Sequence, residues 1–242
     1  MSSKAKYNKF AQYYDEVIGD RMPVAKFLHR LVRQYNPKAK QLLELGCGTG
    51  TMLSHLSGKY SCTGIDNSKE MLKIAKRKAP RAEVFEGDIT DFELDTTFDA
   101  VICPFDTINH LTTFNDWKRL FRRAHKHLNK DGIFIFDVNT EEKMESYRLD
   151  PVTAEVNDRG ISLVEVTRQK RYHYTVHLTL LRRLRGENFR RHQMSLPERI
   201  IPTEKIVETL ADHFRRVTLI DPDREAPTDE TTELFLVCSE PR

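Results

Sequence analysis

The chain has 242 residues, which is long enough for one sizeable hydrophobic core, so we expect one domain with an elaboration. Hydrophobic residues (39%) and charged residues (31%) are as frequent as in ordinary soluble proteins, and no apolar run approaches the roughly 20 residues of a membrane span. The net charge of +3 is too small to indicate a nucleic-acid partner by itself, and four scattered cysteines argue against disulfide or metal roles. Because the first six residues lack the apolar stretch of a signal peptide, we expect a cytoplasmic protein.

Residues 1–40 predict a helical lid. Aromatic residues recur at helical spacing over 7–17, and the simplest interpretation of most of them is core packing. A second amphipathic helix is expected from about 23 to 35, because Pro23 suits a first helical turn and Asn36-Pro37 stops the helix.

Residues 41–50 carry the clearest local pattern. An apolar run over 42–45 predicts a buried strand, glycines follow at alternate positions, and a helix-like stretch comes next. Strand, glycine turn and helix form a nucleotide-binding crevice at the carboxyl edge of a parallel sheet, and glycines let a ligand approach the backbone. A dinucleotide fingerprint needs glycine at the position of Thr51, so the pattern Glu44-x-Gly46-x-Gly48-x-Gly50 favours a different nucleotide ligand.

Two acidic residues follow the next two predicted strands. The second strand, 60–66, ends in Asp66, whose carboxylate would lie beside the glycine turn and could accept hydrogen bonds from both hydroxyls of a ribose. The alternative is a helix-capping role, for which Ser68 is better placed. The third strand, 82–85, is followed by Asp88, which is either a ligand contact or part of a common Gly-Asp turn.

The next two strands continue the parallel sheet. The fourth strand, 98–103, leaves the crevice beside the first strand, so the residues that follow it face the ligand. A helix with one apolar and one basic face comes next, and after a turn at 129–132 the apolar run 133–138 is typical of a central parallel strand. Asp137 and Asn139, at the end of that run, either point toward the crevice or cap the following helix.

Residues 151–201 predict an antiparallel layer over the crevice. Apolar and polar residues alternate with a period of two, and we expect three strands, about 161–169, 171–184 and 188–200, with a turn at 185–188. Such a meander needs a cover, which the body of the protein or a second subunit would provide. After this insert, the sequence predicts a helix and two closing strands.

The same insert concentrates positive charge. Between Arg168 and Arg191 there are eight Lys or Arg residues and one acid, Glu187. Each basic residue alone is typical of a solvated strand edge, whereas together, over the mouth of the crevice, they indicate an anionic substrate group such as a phosphate. Nucleic acid is the alternative partner, but Tyr172 and Tyr174 alternate onto the apolar side, away from stacking positions.

Four regions agree in order and spacing with a known family. Glu44–Gly50, Asp66, Gly87-Asp88 and 98–111 resemble the corresponding parts of the class I methyltransferases that use S-adenosylmethionine, over roughly the first 140 residues. The run 98–111 is similar to small-molecule methyltransferases, including the N-methyltransferases of nucleotide-linked aminosugars. It has Cys-Pro-Phe where nucleic-acid amino methylases have an Asn-Pro-Pro-Tyr type motif.

The resemblance implies an α/β fold, in which a Rossmann-like, doubly wound seven-stranded sheet carries an inserted antiparallel β layer. The expected parts are a helical lid (1–40), a cofactor-binding core (41–150), the β insert (151–201), and a C-terminal helix with the closing strands of the core (202–242).

The resemblance also implies a cofactor, S-adenosylmethionine, and roles for single residues. Tyr14 would lie near the sulfonium, with core packing as an even alternative, and Met71 would pack on the adenine ring or simply in the core. Asp88 would accept a hydrogen bond from the adenine amine, and the Ile89 amide would meet a ring nitrogen. The predicted cofactor-binding residues are Tyr14, Glu44, Gly46, Cys47, Gly48, Gly50, Asp66, Asn67, Met71, Asp88, Ile89 and Pro104, and no metal site is expected.

The function that follows is methyl transfer to an N or O nucleophile of a small molecule, with the amine of a nucleotide-linked sugar as the leading acceptor. His110 is the general-base candidate because imidazole titrates near neutral pH, although it could equally be a polar helix-entry residue. Asp106 and Tyr14 are the reserves. An RNA or protein methyltransferase that uses the basic insert, and a non-catalytic cofactor-binding subunit, are the alternatives. We also expect no membrane contact, and a homodimer through the insert is one arrangement that would cover its sheet.

Overall fold

The computed structural model describes residues 7, 8, 10–150, 153–157, 160–185 and 188–242, and for residues 18 and 153–157 it describes the backbone alone. The first six residues, on which the cytoplasmic expectation rests, lie outside this range. Gly186 and Glu187, the centre of the turn predicted at 185–188, also lie outside the described residues.

The described residues form eleven strands and seven α-helices. The strands are β1 (Gln41–Leu45), β2 (Ser61–Asp66), β3 (Glu83–Glu86), β4 (Phe98–Cys103), β5 (Leu128–Asn139), β6 (Thr153–Asn157), β7 (Gly160–Lys170), β8 (His173–Arg183), β9 (Phe189–Arg199), β10 (Phe214–Ile220) and β11 (Glu233–Pro241). The helices are α1 (Tyr14–Ile18), α2 (Met22–Tyr35), α3 (Thr51–Leu56), α4 (Lys69–Lys78), α5 (Phe114–Lys126), α6 (Glu141–Leu149) and α7 (Thr203–Leu210).

Seven strands form the central sheet in the order β10-β11-β5-β4-β1-β2-β3. All neighbours are parallel except at β11, which runs antiparallel to both β5 and β10. Helices cover both faces: Trp117 of α5 and Ile206 of α7 are fully buried on one face, and Leu28 of α2 and Leu53 of α3 are buried on the other. The predicted doubly wound α/β fold is therefore confirmed.

β5 differs from the prediction of a turn before an apolar strand. It begins at Leu128, and the predicted turn lies inside it as an irregularity, because Phe98 pairs with Leu128 while Ala100 already pairs with Ile133. A single residue of β4, Asp99, therefore faces the four residues 129–132. The register between β4 and β5 therefore shifts by three residues, from an offset of 30 to an offset of 33, and parallel pairing continues on both sides of the irregularity.

The insert is a four-stranded antiparallel sheet in the order β6-β7-β8-β9, instead of the three strands predicted. β6 was missed because its sequence, Thr-Ala-Glu-Val-Asn, has only two apolar residues and gives little periodic signal. The other three strands begin or end within a few residues of their predicted limits. Tyr172 lies in the turn between β7 and β8, where its φ of 64° is left-handed.

The start of the chain forms a lid between the two sheets. The predicted helix over 7–17 is interrupted by a 3-10 turn, Ala11–Tyr13, before α1. Phe10 and Tyr13 pack against Leu180 of β8 and Met194 of β9, so the lid covers part of one face of the insert sheet. Part of the cover that this sheet needs thus comes from the same chain. No helix in the described ranges is long and apolar enough to cross a membrane.

Candidate functional site

A cavity of about 270 Å³ opens where the strand order of the central sheet reverses, between β1 and β4. This reversal is the place where doubly wound sheets bind nucleotides. Nine of the residues predicted to bind cofactor or substrate line it: Tyr14, Gly46, Gly48, Asp66, Asn67, Met71, Asp88, Ile89 and His110. Glu44 and Cys47 line a smaller cleft that shares the glycine turn with this cavity.

The glycines of the turn after β1 serve different purposes. Gly48 has φ +50°, and a Cβ built on it would meet nothing closer than the Tyr14 ring at 4.0 Å, so its backbone is open to a ligand. Gly50 has φ +73°, and a Cβ there would lie 2.9 Å from Ala75 of α4. Gly50 therefore permits close packing of two helices, and it is not among the residues that line the cavity or the cleft.

Asp66 ends β2 with both carboxylate oxygens beside the turn. Oδ2 accepts from the Gly48 amide at 2.9 Å, and Oδ1 accepts from the Ser68 amide at 2.8 Å. Burial raises the pKa of Asp66, although the amide hydrogen bonds oppose this shift. Ser68 itself caps α4 by accepting from the Met71 amide, so the cap does not depend on Asp66. Each oxygen of Asp66 keeps a lone pair for a ribose hydroxyl.

Asp88 belongs to a group of polar side chains on the wall of the cavity. Its Oδ1 accepts from both the amide and the hydroxyl of Thr90 at 2.8 Å, and Arg119 of α5 donates to the same hydroxyl at 2.6 Å. Thr90 and Arg119 also line the cavity and were not predicted. Arg119 was missed because it belongs to the basic face of α5, a pattern that usually indicates a solvated surface.

The small cleft beyond the glycine turn contains two ionisable side chains, each with one buried polar atom that lacks a described partner. Glu44 is 2% exposed, its Oε2 has no hydrogen-bond partner in the described part of the chain, and burial raises its pKa well above the ordinary value. The Arg21 guanidinium lies over the Phe105 ring, 4.3 Å from its centroid, and its Nε is buried without a described partner. Arg21 was missed because it lies in the turn before α2, outside any motif.

The lid is tied to the cavity by hydrogen bonds from its polar side chains. Asp15 accepts from the Thr49 hydroxyl at 2.7 Å and pairs with Lys78 at 2.5 Å. Although burial alone would raise it, these bonds hold the pKa of Asp15 below its ordinary value. Asn8 accepts from the Ser68 hydroxyl at 2.6 Å. The lid therefore contacts the sequences that follow β1 and β2 at the same time.

The backbone is strained where β4 leaves the sheet. Phe105 and Asp106 both have positive φ, 64° and 47°, which is uncommon for residues other than glycine. The Asp106 amide donates to Asp137 Oδ2 at 2.7 Å and holds this turn. As a result Phe105 and Thr107 line the cavity, whereas the predicted Pro104 and Asp106 do not.

His110 ends the 3-10 turn Thr107–His110 and faces the cavity. Its Nε2 lies 3.1 Å from the Tyr7 hydroxyl and 3.8 Å from Asp106 Oδ2, and its Nδ1 is buried without a partner among the described residues. Asp106, His110 and Glu198 each offer an oxygen or nitrogen atom, and these atoms lie within 4.8 Å of one another. Such a group can hold a metal ion or a hydrogen-bond donor.

Glu198, on β9 of the insert, was not predicted. It is 4% exposed, and its Oε2 accepts from the Asn139 side-chain amide at 3.0 Å. Burial raises the pKa of Glu198 to about 7, and the nearby Asp106 carboxylate adds to this shift. The alternation of β9 places Glu198 on the same face as the buried Met194 and Leu196. An acid at an apolar register position was therefore a signal in the sequence, and the sequence analysis did not use it.

Further buried charges lie behind this group. Asp137 is 1% exposed, and burial together with the Glu233 carboxylate raises its pKa well above the ordinary value. Although burial opposes it, the surrounding carboxylates raise the pKa of Lys143. Thr140 caps α6 by accepting from the Lys143 amide, so Asp137 and Asn139 do not cap that helix, one of their two predicted roles.

The basic residues of the insert are not one cluster. Three of them, Arg168, Lys170 and Arg171, flank the turn between β7 and β8. The other five lie at the opposite end of the sheet: Arg182, Arg183, Arg185, Arg190 and Arg191. Arg168 pairs with Glu145, and Arg182 pairs with Glu16 of the lid. None of the eight lines the cavity. The prediction that they gather over its mouth is wrong, because the two halves of a hairpin of this length are separated by the length of the strand.

The fold and the site together define an α/β protein that binds an adenosine-containing cofactor at its strand reversal. A family model described as a methyltransferase domain matches residues 42–132. A putative methyltransferase of Geobacillus sp. (strain WCH70) is 32% identical over 166 residues, which are 65% of this chain and 67% of that protein. The chain belongs to the class I S-adenosylmethionine-dependent methyltransferases, and S-adenosylmethionine is its cofactor.

Two further comparisons bear on its relatives. The dTDP-3-amino-3,6-dideoxy-alpha-D-glucopyranose N,N-dimethyltransferase of Streptomyces fradiae is 38% identical over 111 residues, which are 46% of this chain and 44% of that enzyme. The chain therefore matches less than half the length of this relative. The crystal structure of an S-adenosylmethionine-dependent methyltransferase from Clostridium acetobutylicum has the same fold, with a TM-score of 0.81, 23% identity and coverage of 96% of this chain and 98% of that one.

The described residues fit this cofactor. Gly48, with its open backbone, and Asp66 would hold its ribose. Glu44 and Arg21, each with a buried atom that lacks a described partner, would face the ammonium and carboxylate of its amino-acid end. The buried side chain of Met71 offers an apolar wall for the adenine.

Proposed function

We propose that this methyltransferase acts on an N or O nucleophile of a small molecule, with the amine of a nucleotide-linked sugar as the leading acceptor. The observation that supports this is the two-ended cavity. Asp66 and the glycine turn border one end, and His110, with Tyr7 and Asp106 beside it, borders the other. A nucleophile held at the second end would lie next to a titratable group and inside a site covered by the lid.

The bound cofactor supplies an electrophilic methyl group on a positively charged sulfur. The chain mainly aligns the nucleophile and excludes water, and such positioning can lower a barrier by about 7–11 kcal/mol. We assign Tyr14 to the wall of the cavity near the reacting end, because its ring lies over Gly48 and borders both the cavity and the cleft. For a neutral nucleophile, His110 is our candidate for the group that meets the proton which the nucleophile must lose.

The choice of acceptor is supported by the relative from Streptomyces fradiae, whose name gives a dTDP-aminosugar as its substrate. The basic residues of the insert do not decide between acceptors, because none of the eight lines the cavity. The separation of those residues into two groups weakens the alternative of an RNA substrate, which would need a continuous basic track.

The test is a methyl-transfer assay with purified chain, S-adenosylmethionine and dTDP-3-amino-3,6-dideoxy-α-D-glucopyranose, beside a panel of small amines and alcohols. We expect S-adenosylhomocysteine to form together with a methylated small molecule, detected by mass spectrometry. Transfer only to RNA or protein, with a steep loss of activity at higher salt, would instead favour the macromolecular alternative. Cofactor binding without any transfer would indicate a non-catalytic subunit.

A further inference from the structure

We propose that Asp106, His110 and Glu198 form a cradle for the protonated amine of the acceptor, and that Glu198 keeps the proton which this amine loses before methylation. The proposal rests on the proposed function, because it concerns the acceptor end of the same site. It adds two things to that function. One is a substrate class, namely a cationic amine with N–H donors, and the other is a catalytic residue, Glu198, which the insert supplies.

The spacing of the three groups fits an ammonium. Their ligand atoms lie within 4.8 Å of one another. A tetrahedral nitrogen that donates hydrogen bonds of about 2.8 Å separates any two acceptors by roughly 4.6 Å. A zinc ion, with bonds of about 2.0–2.2 Å, would draw its ligand atoms to roughly 3.5 Å. The upper limit of 4.8 Å accommodates three N–H···O or N–H···N bonds from one primary ammonium. His110 Nε2 and Asp106 Oδ2 lie 3.8 Å apart, between the two spacings, so the comparison of Zn²⁺ with methylammonium described below decides between the two ligands.

A second observation is that two residues hydrogen-bonded to this group each keep a buried acceptor atom without a described donor. Asn139 is 4% exposed and donates its side-chain NH₂ to Glu198, but its own Oδ1 has no partner in the described part of the chain. Asp137 Oδ1 is also buried without one. A buried acceptor without a donor costs about 1–3 kcal/mol. A ligand that brings N–H groups and positive charge would recover this cost, whereas an alcohol would bring one donor and no charge.

The surrounding charges are consistent with a proton acceptor at Glu198. Burial and the Asp106 carboxylate raise the pKa of Glu198 to about 7, while His110 and Lys143 lower it in part. Tyr7, which also faces this group, has its own pKa raised well above the ordinary value by burial, so it stays neutral. At neutral pH the Glu198 carboxylate is thus close to balance between its charged and neutral forms, as an efficient base must be.

Atoms and electrons balance in this proton transfer and the methylation that follows it. The ammonium loses one proton: an N–H bond breaks, an O–H bond forms on Glu198, and the electron pair stays on nitrogen. That pair forms the new C–N bond to the methyl carbon, and the pair of the broken C–S bond remains on sulfur. The products are a methylated ammonium, a neutral thioether and a protonated Glu198, which returns its proton to water.

The first experiment needs no knowledge of the acceptor. Protein labelled with ¹³C in its glutamate carboxyl groups and saturated with S-adenosylhomocysteine is followed by NMR while the pH is varied. The Glu198 resonance is identified as the one that is lost in Glu198→Gln, and Glu198→Asp serves as the second variant if the first does not fold. We expect a midpoint near neutral pH that falls when methylammonium is added. Tetramethylammonium, which has no N–H donor, is the matched probe and should leave the midpoint unchanged. A midpoint in the ordinary carboxylate range, or equal responses to both cations, contradicts the cradle.

The second experiment measures preference for an amine. With S-adenosylhomocysteine bound, the affinity for dTDP-3-amino-3,6-dideoxy-α-D-glucopyranose is compared with that for the analogue bearing hydroxyl at the same carbon. We expect the amine to bind about tenfold more tightly or better, and the preference to be lost in Glu198→Gln but kept in the control Glu165→Gln on the exposed side of β7. A preference unchanged in Glu198→Gln overturns the proposal.

The outcomes separate this inference from the proposed function. If neither sugar binds but Glu198 still titrates near neutral pH and responds to methylammonium, the nucleotide-sugar acceptor is wrong and the cradle stands. If a sugar is methylated but the carboxyl group behaves ordinarily, the cradle is wrong and the function stands. A response of the Glu198 resonance to micromolar Zn²⁺ but not to methylammonium would identify a metal site in place of the cradle.

Discussion

The two ends of the cavity are built on different principles. At the cofactor end, polar groups are already paired: Asp66 accepts from two backbone amides, and Asp88 accepts twice from Thr90. At the acceptor end, buried carboxylates face one another with few donors, and atoms of Asp137 and Asn139 lack described partners. The first end is organised before its ligand arrives, whereas the second keeps buried acceptor atoms without described donors, although the Lys143 ammonium lies among its carboxylates.

The difference follows from the elements that build each end. The cofactor end uses turns directly after β1, β2 and β3, where backbone amides are available by the geometry of a parallel sheet. The acceptor end brings together the strained turn after β4, the end of β5 and a strand of the insert. Side chains from three such separate elements lie close together here, and the backbone amide of Asp106 stabilises one of their carboxylates, that of Asp137.

The largest effect that this comparison predicts is at the cofactor end. Asp66→Ala removes the carboxylate that holds the Gly48 amide and that we assign to the ribose, and hydrogen bonds to a charged group contribute about 1.5–3 kcal/mol each. We expect S-adenosylhomocysteine to bind about 100-fold more weakly by calorimetry. Asp95→Ala, at an exposed position beyond β3, is the control. Equal affinity in wild type and Asp66→Ala would show that the ribose is held elsewhere.

The second prediction concerns stability at the acceptor end. Because the pKa of Glu198 is raised from 4.5 to about 7 in the folded protein, the folded state binds its proton more tightly than the unfolded state does. The resulting stability is complete below pH 4.5 and is lost as the pH rises through 7. Glu198→Gln removes this loss, so its free energy of unfolding at pH 8 should exceed that of the wild type by roughly 1–3 kcal/mol.

The measurement is urea unfolding of both proteins at pH 5 and pH 8. The advantage of Glu198→Gln should shrink at pH 5, where the wild-type side chain is mostly protonated. Parallel pH dependence in the two proteins would mean that burial does not raise the pKa of Glu198. The polar groups of the acceptor end would then be as well paired as those of the cofactor end.

The third prediction separates binding from chemistry. His110→Ala should reduce turnover at least tenfold, about 1.4 kcal/mol in the barrier, with unchanged affinity for S-adenosylhomocysteine, because His110 belongs to the acceptor end. Turnover is measured with whichever acceptor the methyl-transfer assay identifies. His125→Ala, on the far side of α5 near the C-terminus, is the control. Unchanged turnover would remove His110 from the mechanism and leave it as a residue that ends a turn.

The smallest effect is expected in the cleft beyond the glycine turn. Arg21→Met keeps apolar contact with Phe105 but removes the charge, and we expect S-adenosylhomocysteine to bind about fivefold more weakly, an effect of roughly 1 kcal/mol. 5′-Methylthioadenosine, which lacks the amino-acid end, should bind equally well to both proteins. Arg30→Met, which removes a similar cation from the Phe27 ring at the surface, is the matched control. A parallel loss for both ligands would assign Arg21 a structural role instead.

The sequence by itself determined the central sheet and the cofactor end. Apolar runs, the glycine turn and the acids after β2 and β3 are local patterns, and in a parallel sheet a residue that follows a strand necessarily lies at the carboxyl edge. For this reason the amino-acid sequence alone was enough to place Asp66, Asp88 and Gly48 beside one cavity. The C-terminal antiparallel pair followed from the family resemblance.

Only the tertiary structure showed which residues form the acceptor end and where the basic residues of the insert lie. Glu198 and Arg21 lie in no motif. The alternation of β9 puts Glu198 on the buried face of that strand, but only the packing of the insert brings it beside Asp106 and His110. The basic residues looked like one cluster because they are close in sequence, yet the length of β8 places them at opposite ends. Local patterns fix local backbone geometry, while contacts between distant elements depend on packing that no short pattern encodes.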